Sequence, residues 1–297
     1  MASDEDVAAH RAALVALVEL ARQYLAAFFS TLDSASPDAP KLVADFYVSL
    51  TQEFGATAAT LAADYYDNLR AQASVRAGFE AELADPVSSD HAVAVARSAT
   101  AVTDSPAAAD GPEAVPERPR SRVRVSDTAA DGPRSSRSRA TVTDSGADAP
   151  RESRSRVTVN DASPERLEAA AQRLIMKPAR ETIVRSAGRD PARARWARIP
   201  QGVTCAFCLV MASRGAVYLT EQSAGGGPGE DMFKYHNWCD CQPTPFWSGD
   251  PYPESYDPDA LERKYLDARA AAGSPSLKRG ENKTSILTKL RELEGIR

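Results

Sequence analysis

From Ser121 the sequence copies itself. "SRVRVSDTAADGPRSSR" is followed by "SRATVTDSGADAPRESR" and then by a decaying copy, "SRVTVNDASPERLEAA". The period is 17 residues, marked by Val125-Ser126-Asp127, Val142-Thr143-Asp144 and Val159-Asn160-Asp161. An earlier partial copy, "ATAVTDSPAAADGP", precedes them. A solenoid unit needs an apolar face on which its neighbours stack. Each of these copies offers one or two valines among Pro, Gly, Ser, Asp and Arg, too little apolar surface to offset the ordering entropy. The repeats therefore predict a disordered linker over 98–163, and any core must be built from what flanks it. Between residues 113 and 156 ten Arg face seven acids. The bland reading is a duplicated linker; the functional one is an electrostatic tether to DNA or to an acidic protein surface.

The first flank, 1–97, reads as helical and acidic. Ser3 with Asp6 is a capping-box pattern, and Leu14, Val18, Ala21, Leu25 and Phe28/Phe29 recur at three-to-four spacing. A second helix is expected to start at Ser36-Pro37 and to stop at Gly55. A third follows from Thr57 to Ala73 with Leu61, Tyr65 and Leu69 on one face. Low aromatic content, 7%, and abundant Ala favour such helices over a β-sandwich. His10 and His91 fall in this region and are expected to face solvent.

The second flank divides at 250. Over 164–250 the reading is a helix from Pro164, with Leu167, Ala171 and Leu174/Ile175 on one face, interrupted at Pro178. A compact segment with strand character at 216–220 and a Gly-rich loop at 224–231 follow. Over 251–297 it is Pro- and aromatic-rich coil and two short helices, "DALERKYLDARAAAG" and "KTSILTKLRELEG". The fold class is thus α+β: a mainly helical N-terminal region, a disordered repeat linker and a small Cys/His-rich α+β C-terminal domain.

A net charge of −5 excludes a global argument for nucleic-acid binding. The apolar stretch at 12–21 is broken by Glu19 and is too short to span a bilayer, so no membrane partner is expected. The acidic N-terminus is unlike a secretory leader, which points to synthesis in the cytoplasm, where thiols stay reduced.

All four cysteines lie in the 164–250 segment, as Cys205 and Cys208 in "TCAFC" and Cys239 and Cys241 in "KYHNWCDC". A C-x-x-C spacing lets one tight turn aim both sulfurs at a point, as in a zinc knuckle. C-x-C places both thiols on one face of an extended strand, though with a strained bite. His236 offers an alternative ligand, so five donors compete for a tetrahedral zinc: Cys205, Cys208, His236, Cys239 and Cys241. Reduced structural thiols and two disulfides are the other readings. A thioredoxin-type centre does not fit, because the flanking pattern is not βαβ. A cysteine with His236 as base would be a nucleophile if the two came within hydrogen-bond reach.

The run "RWARIPQGVTCAFCLVMASRGAVY", a Gly-rich loop and then "YHNWCDCQPTPFW" resemble the signature of MuF-like minor head proteins of actinobacterial phages and prophages, within the phage Mu protein F family. Trp196, Cys205, Cys208, Ser213, Arg214, Gly215, Tyr218, His236, Cys239, Asp240 and Cys241 match the motif, as do "ADFY" at 44–47 and "DPARARWARIP" at 190–200. The 17-residue repeats are a departure from it. The resemblance implies a low-copy minor capsid protein in the virion head beside the portal. Portal and capsid proteins would be its partners, and head assembly or early DNA delivery its task. It also carries an alternative, a capsid maturation protease using Cys205, Cys208 and His236. Fusions of this domain to toxin domains are known in the family, but about fifty residues follow the motif here, too few for one.

Overall fold

The computed structural model describes residues 2–100, 159–160, 162–200, 204–219, 239, 241–273 and 283–296. The first two 17-residue copies, the opening of the third (155–158 and Asp161), the Gly-rich loop, His236 and Asp240 lie outside the described residues. Among the described residues the chain is mainly helical, with one two-stranded antiparallel sheet in the cysteine-rich part.

Helix α1, Asp4–Thr31, starts at the expected capping box: the Asp6 amide donates to Ser3 Oγ (3.1 Å) and the Ser3 amide to Asp6 Oδ2 (3.0 Å). Its buried side is Val7, His10, Leu14, Val18, Ala21 and Leu25, packed on α2 (Ala39–Gln72) and α4 (Ser163–Arg189). The apolar stretch is longer than the sequence suggests: α1 is long and apolar enough to cross a membrane by those two measures. Here one side of it is core, while Val15, Leu20 and Tyr24 are exposed.

Helix α2, Ala39–Gln72, is the largest correction to the sequence reading. It starts at Ala39, with Pro40 rather than Pro37 in its first turn, and continues through Gly55, so the second and third expected helices are one. Gly55 is buried, and a Cβ there would stand 3.2 Å from Pro178 Cγ and 3.5 Å from Pro86 Cβ. The glycine permits close approach rather than ending the helix. Its neighbour Pro178 sits inside α4, Ser163–Arg189, which also runs on without the expected interruption. A proline in a helix interior costs about 3 kcal/mol, which packing on both sides offsets here.

Helix α4 is the centre of the fold, in contact with α1, α2, α3 (Ser89–Thr100) and both strands. Its buried residues, Leu167, Leu174, Ile175, Met176, Ile183 and Val184 among them, cover most of its circumference. The third repeat copy dissolves into its start, where Asn160 Oδ1 accepts from the Ala162 amide and from Ser163 Oγ. Elements on either side of the repeats thus share one core, and the clusters before and after them form one compact unit.

Strand β1, Arg195–Ile199, pairs antiparallel with β2, Gln242–Phe246, in the register Arg195↔Phe246 to Ile199↔Gln242. Between them lies the short α5, Ala206–Ala212. The strand expected at 216–220 reduces, among its described residues, to a bridge from Tyr218 to Trp196. Helices α6, Pro258–Ala271, and α7, Lys283–Glu294, confirm the two closing helices and bury Ala268, Ile286 and Leu290 against Ala206 and Leu209 of α5.

His10 is buried, not solvent-facing as expected; His91 is exposed. The His10 ring stacks on Tyr65 with centroids 4.1 Å apart, and neither nitrogen has a hydrogen-bond partner among the described residues. Burial draws its pKa down from 6.5 to about 4. The unfolded chain then binds the proton more readily, so stability is full above pH 6.5 and falls as pH drops toward 4. Urea unfolding of wild type is expected to lose up to about 3 kcal/mol across this window from His10. A His10→Phe variant should flatten that part of the profile; an unchanged slope would contradict the burial.

Candidate metal centre

Helix α5 is the next element after β1, and its N-cap is Cys205 in extended conformation (φ −81°, ψ 158°). The Cys208 amide donates to the Cys205 sulfur at 3.4 Å, so the turn gathers the first pair of thiols at one helix end. The second pair leads into β2: Cys241 directly precedes Gln242, and Cys239 lies two residues before it. The thiols of Cys239 and Cys241 both come up to Cys208 of α5. The Cys208 and Cys239 sulfurs are 3.5 Å apart, and the sulfurs of Cys208, Cys239 and Cys241 all lie within 4.8 Å of one another.

All four thiols are free and buried; Cys208 is 0% exposed and Cys205, the most open, 8%. A disulfide needs sulfurs about 2.05 Å apart, whereas tetrahedral zinc with bonds of about 2.3 Å sets its sulfurs at about 3.8 Å. The observed spacing suits the second. Three buried thiols this close can hold a metal ion.

Electrostatics separate the four. The side-chain contact with Cys208, working against burial, lowers Cys205 to about 7. For Cys208 the contact with Cys205 works upward, but contacts from Cys239 and Cys241 and the positive charge of Arg198 outweigh it and leave the thiol below its ordinary range. Cys239 is raised first by its contact with Cys208, and Cys241 is pushed well up by Cys208, Cys239 and burial. Thiols this close cannot all ionise unless a cation stands among them.

Other motif residues build the surround. Trp196 is 1% exposed and packs on Tyr218, with ring centroids 4.8 Å apart. The Tyr218 hydroxyl donates to the Met211 carbonyl at 3.0 Å. Ser213 Oγ donates to the Val210 carbonyl where α5 ends. Gly215 takes φ +65°, and a Cβ there would lie 2.6 Å from the Tyr252 hydroxyl. Only glycine suits both the left-handed backbone and that contact. A cleft of about 420 Å³ beside this turn is lined by Arg214, Gly215, Tyr252, Glu262 and Tyr265 among others, and none of the four cysteines lines it.

The structure brings together Cys208, Cys239 and Cys241, holds Cys205 against Cys208, and leaves His236 outside the described residues. Sequence reasoning missed two buried arginines at the cluster, Arg180 of α4 and Arg198 of β1. Neither carries a local signal, because arginine reads as surface unless its partners are known.

The architecture defines the class: a helical core onto which a cysteine-gathered two-stranded sheet is packed. The VG15 protein family model matches residues 1–268, and the chain belongs to that family. A curated relative, the Gene 15 protein of Mycobacterium phage D29, is 26% identical over 153 residues, or 41% of this chain. The match spans 56% of that relative, little more than half its length. No solved structure matches the chain.

Proposed function

We propose that the chain is a phage minor head protein of MuF-like kind, acting near the portal in head assembly or DNA delivery. The carrying observation is the family match over 1–268, with a mycobacteriophage protein among its relatives. The motif around the cysteines supports the MuF-like reading. In this reading the protein is made in the host cytoplasm and carried in the head. Portal and capsid proteins are its partners, and the Arg-containing linker offers a secondary contact to DNA.

The cysteines serve as a structural clamp holding one zinc. Cys208, Cys239 and Cys241 supply three ligands, and Cys205, already turned against Cys208, supplies the fourth, with His236 spare. When bound, the metal cross-links the start of α5 to the start of β2, in a region whose sheet has two strands among the described residues. No observation favours the maturation protease: a nucleophile must meet its substrate, and Cys208 is wholly buried with Cys205 nearly so.

Mass spectrometry of purified particles, from a phage encoding this chain, tests the head role. The chain is expected at a few copies per particle, intact or processed, with cross-links to the portal. Particles lacking it altogether would refute the proposal.

A further inference from the structure

We infer that Arg198 and Arg180 border the thiol centre as positioning residues, one at a cysteine sulfur and one at a cysteine carbonyl, and decide how firmly it keeps a metal. The inference rests on the zinc reading above and adds a role for two arginines that the resemblance does not give.

Arg198 is the penultimate residue of β1, opposite Pro243 of β2, and is 0% exposed. Its Nη1 donates to Cys208 Sγ at 3.4 Å, and its Cζ stands 5.5 Å from the centroid of the Phe207 ring. Phe207 directly precedes Cys208, so the ring and the sulfur fix one guanidinium from two sides. Arg180 arrives from α4 and is 1% exposed. Its Nη2 donates to the Cys239 carbonyl and lies 3.5 Å from Met176 Sδ. One guanidinium therefore meets Cys208 of the first pair at its sulfur, and the other meets Cys239 of the second at its carbonyl.

Burying a guanidinium is costly unless hydrogen bonds and opposite charge offset it. A neutral thiol offers Arg198 only a weak acceptor. A metal-bound thiolate offers a charge-assisted one. A divalent metal with four thiolates carries two negative charges in sum, and the two guanidiniums bring two positive charges to its border. Arg198 then orients one sulfur, while Arg180 fixes the peptide from which the strained C-x-C bite begins.

The test uses the full chain loaded with zinc, and with cobalt as a spectroscopic stand-in. Arg198→Met keeps the bulk and removes the charge; Arg198→Lys keeps the charge and loses the planar fork. Loss of such outer contacts typically weakens metal affinity 10–100-fold. Arg198→Met is expected to fall in that range in chelator competition and to shift the sulfur-to-cobalt charge-transfer band. Arg198→Lys should lie between it and wild type. Arg180→Met, read the same way, should also lose metal faster, and it carries the test if Arg198→Met does not fold. Folded variants with wild-type affinity and an unshifted band would overturn the inference. A wild-type chain that takes up neither zinc nor cobalt would overturn the zinc reading itself, before any arginine is changed.

Discussion

Cys208→Ser is expected to yield a chain that binds no zinc and has lost the order of its cysteine-rich part, while α1, α2 and α4 keep their helicity. Cys208 is central to the cluster: it touches Cys239 at 3.5 Å, meets Cys205 through the turn, and receives Arg198. Serine in a buried, metal-free thiol site would cost only about 1–3 kcal/mol as a poorly satisfied hydroxyl. If the site holds zinc, folding and binding are linked, and zinc-finger peptides draw about 10–16 kcal/mol from the metal. This region also has packing against α4, so part of that is retained and a loss of about 5 kcal/mol or more is expected. Denaturant unfolding with and without chelator checks it. Chelator should bring wild type down to the variant and leave the variant unchanged. A drop confined to the smaller range, insensitive to chelator, would mean that the thiols act as ordinary core.

Asp190→Ala is the second large effect. Asp190 follows α4, and its carboxylate receives Arg70 Nε at 2.9 Å, Arg70 Nη2 at 3.2 Å, the Tyr66 hydroxyl at 3.0 Å, Trp247 Nε1 at 3.1 Å and the Ala192 amide at 2.8 Å. It ties α2 to the end of α4 and to the residue after β2. Arg70 is 7% exposed, so removing the carboxylate leaves a buried guanidinium with the Ala77 carbonyl but without the Asp190 charge. Breaking one partner of such a pair costs about 3–5 kcal/mol. Burial by itself would raise the Asp190 pKa, but the donors from Arg70, Ala192, Tyr66 and Trp247 outweigh it and hold the carboxyl below its ordinary 3.8. With the folded pKa depressed, the contribution is complete above the unfolded pKa and is lost as pH falls through the folded one. Wild type and Asp190→Ala should therefore differ fully at pH 7 and converge in acid below 3.8. A variant that unfolds with wild type at pH 7 would contradict the account.

The α1 stripe was readable because Leu14, Val18, Ala21 and Leu25 repeat on one face and the capping box marks the start. The cysteines were readable because only four exist and their spacings are restrictive. What the sequence hid depends on contacts between distant segments. Gly55 and Pro178 each look like helix breakers alone; facing each other they let α2 and α4 approach, and both helices continue. His10 looks like surface until Tyr65 is stacked on it. Asp190 lies within a recognised motif, yet its main partner, Arg70, is 120 positions away. Arg198 sits between Ala197 and Ile199 in a buried strand, and its contact with Cys208, ten positions on, is invisible to its immediate neighbours in the chain.

Metal content tests the clamp most directly. Full-length protein purified without chelator, examined by elemental analysis and by thiol titration, should carry about one zinc per chain. Its four cysteines should react only after chelator is added. Metal-free protein whose four thiols titrate freely in the native state would contradict it.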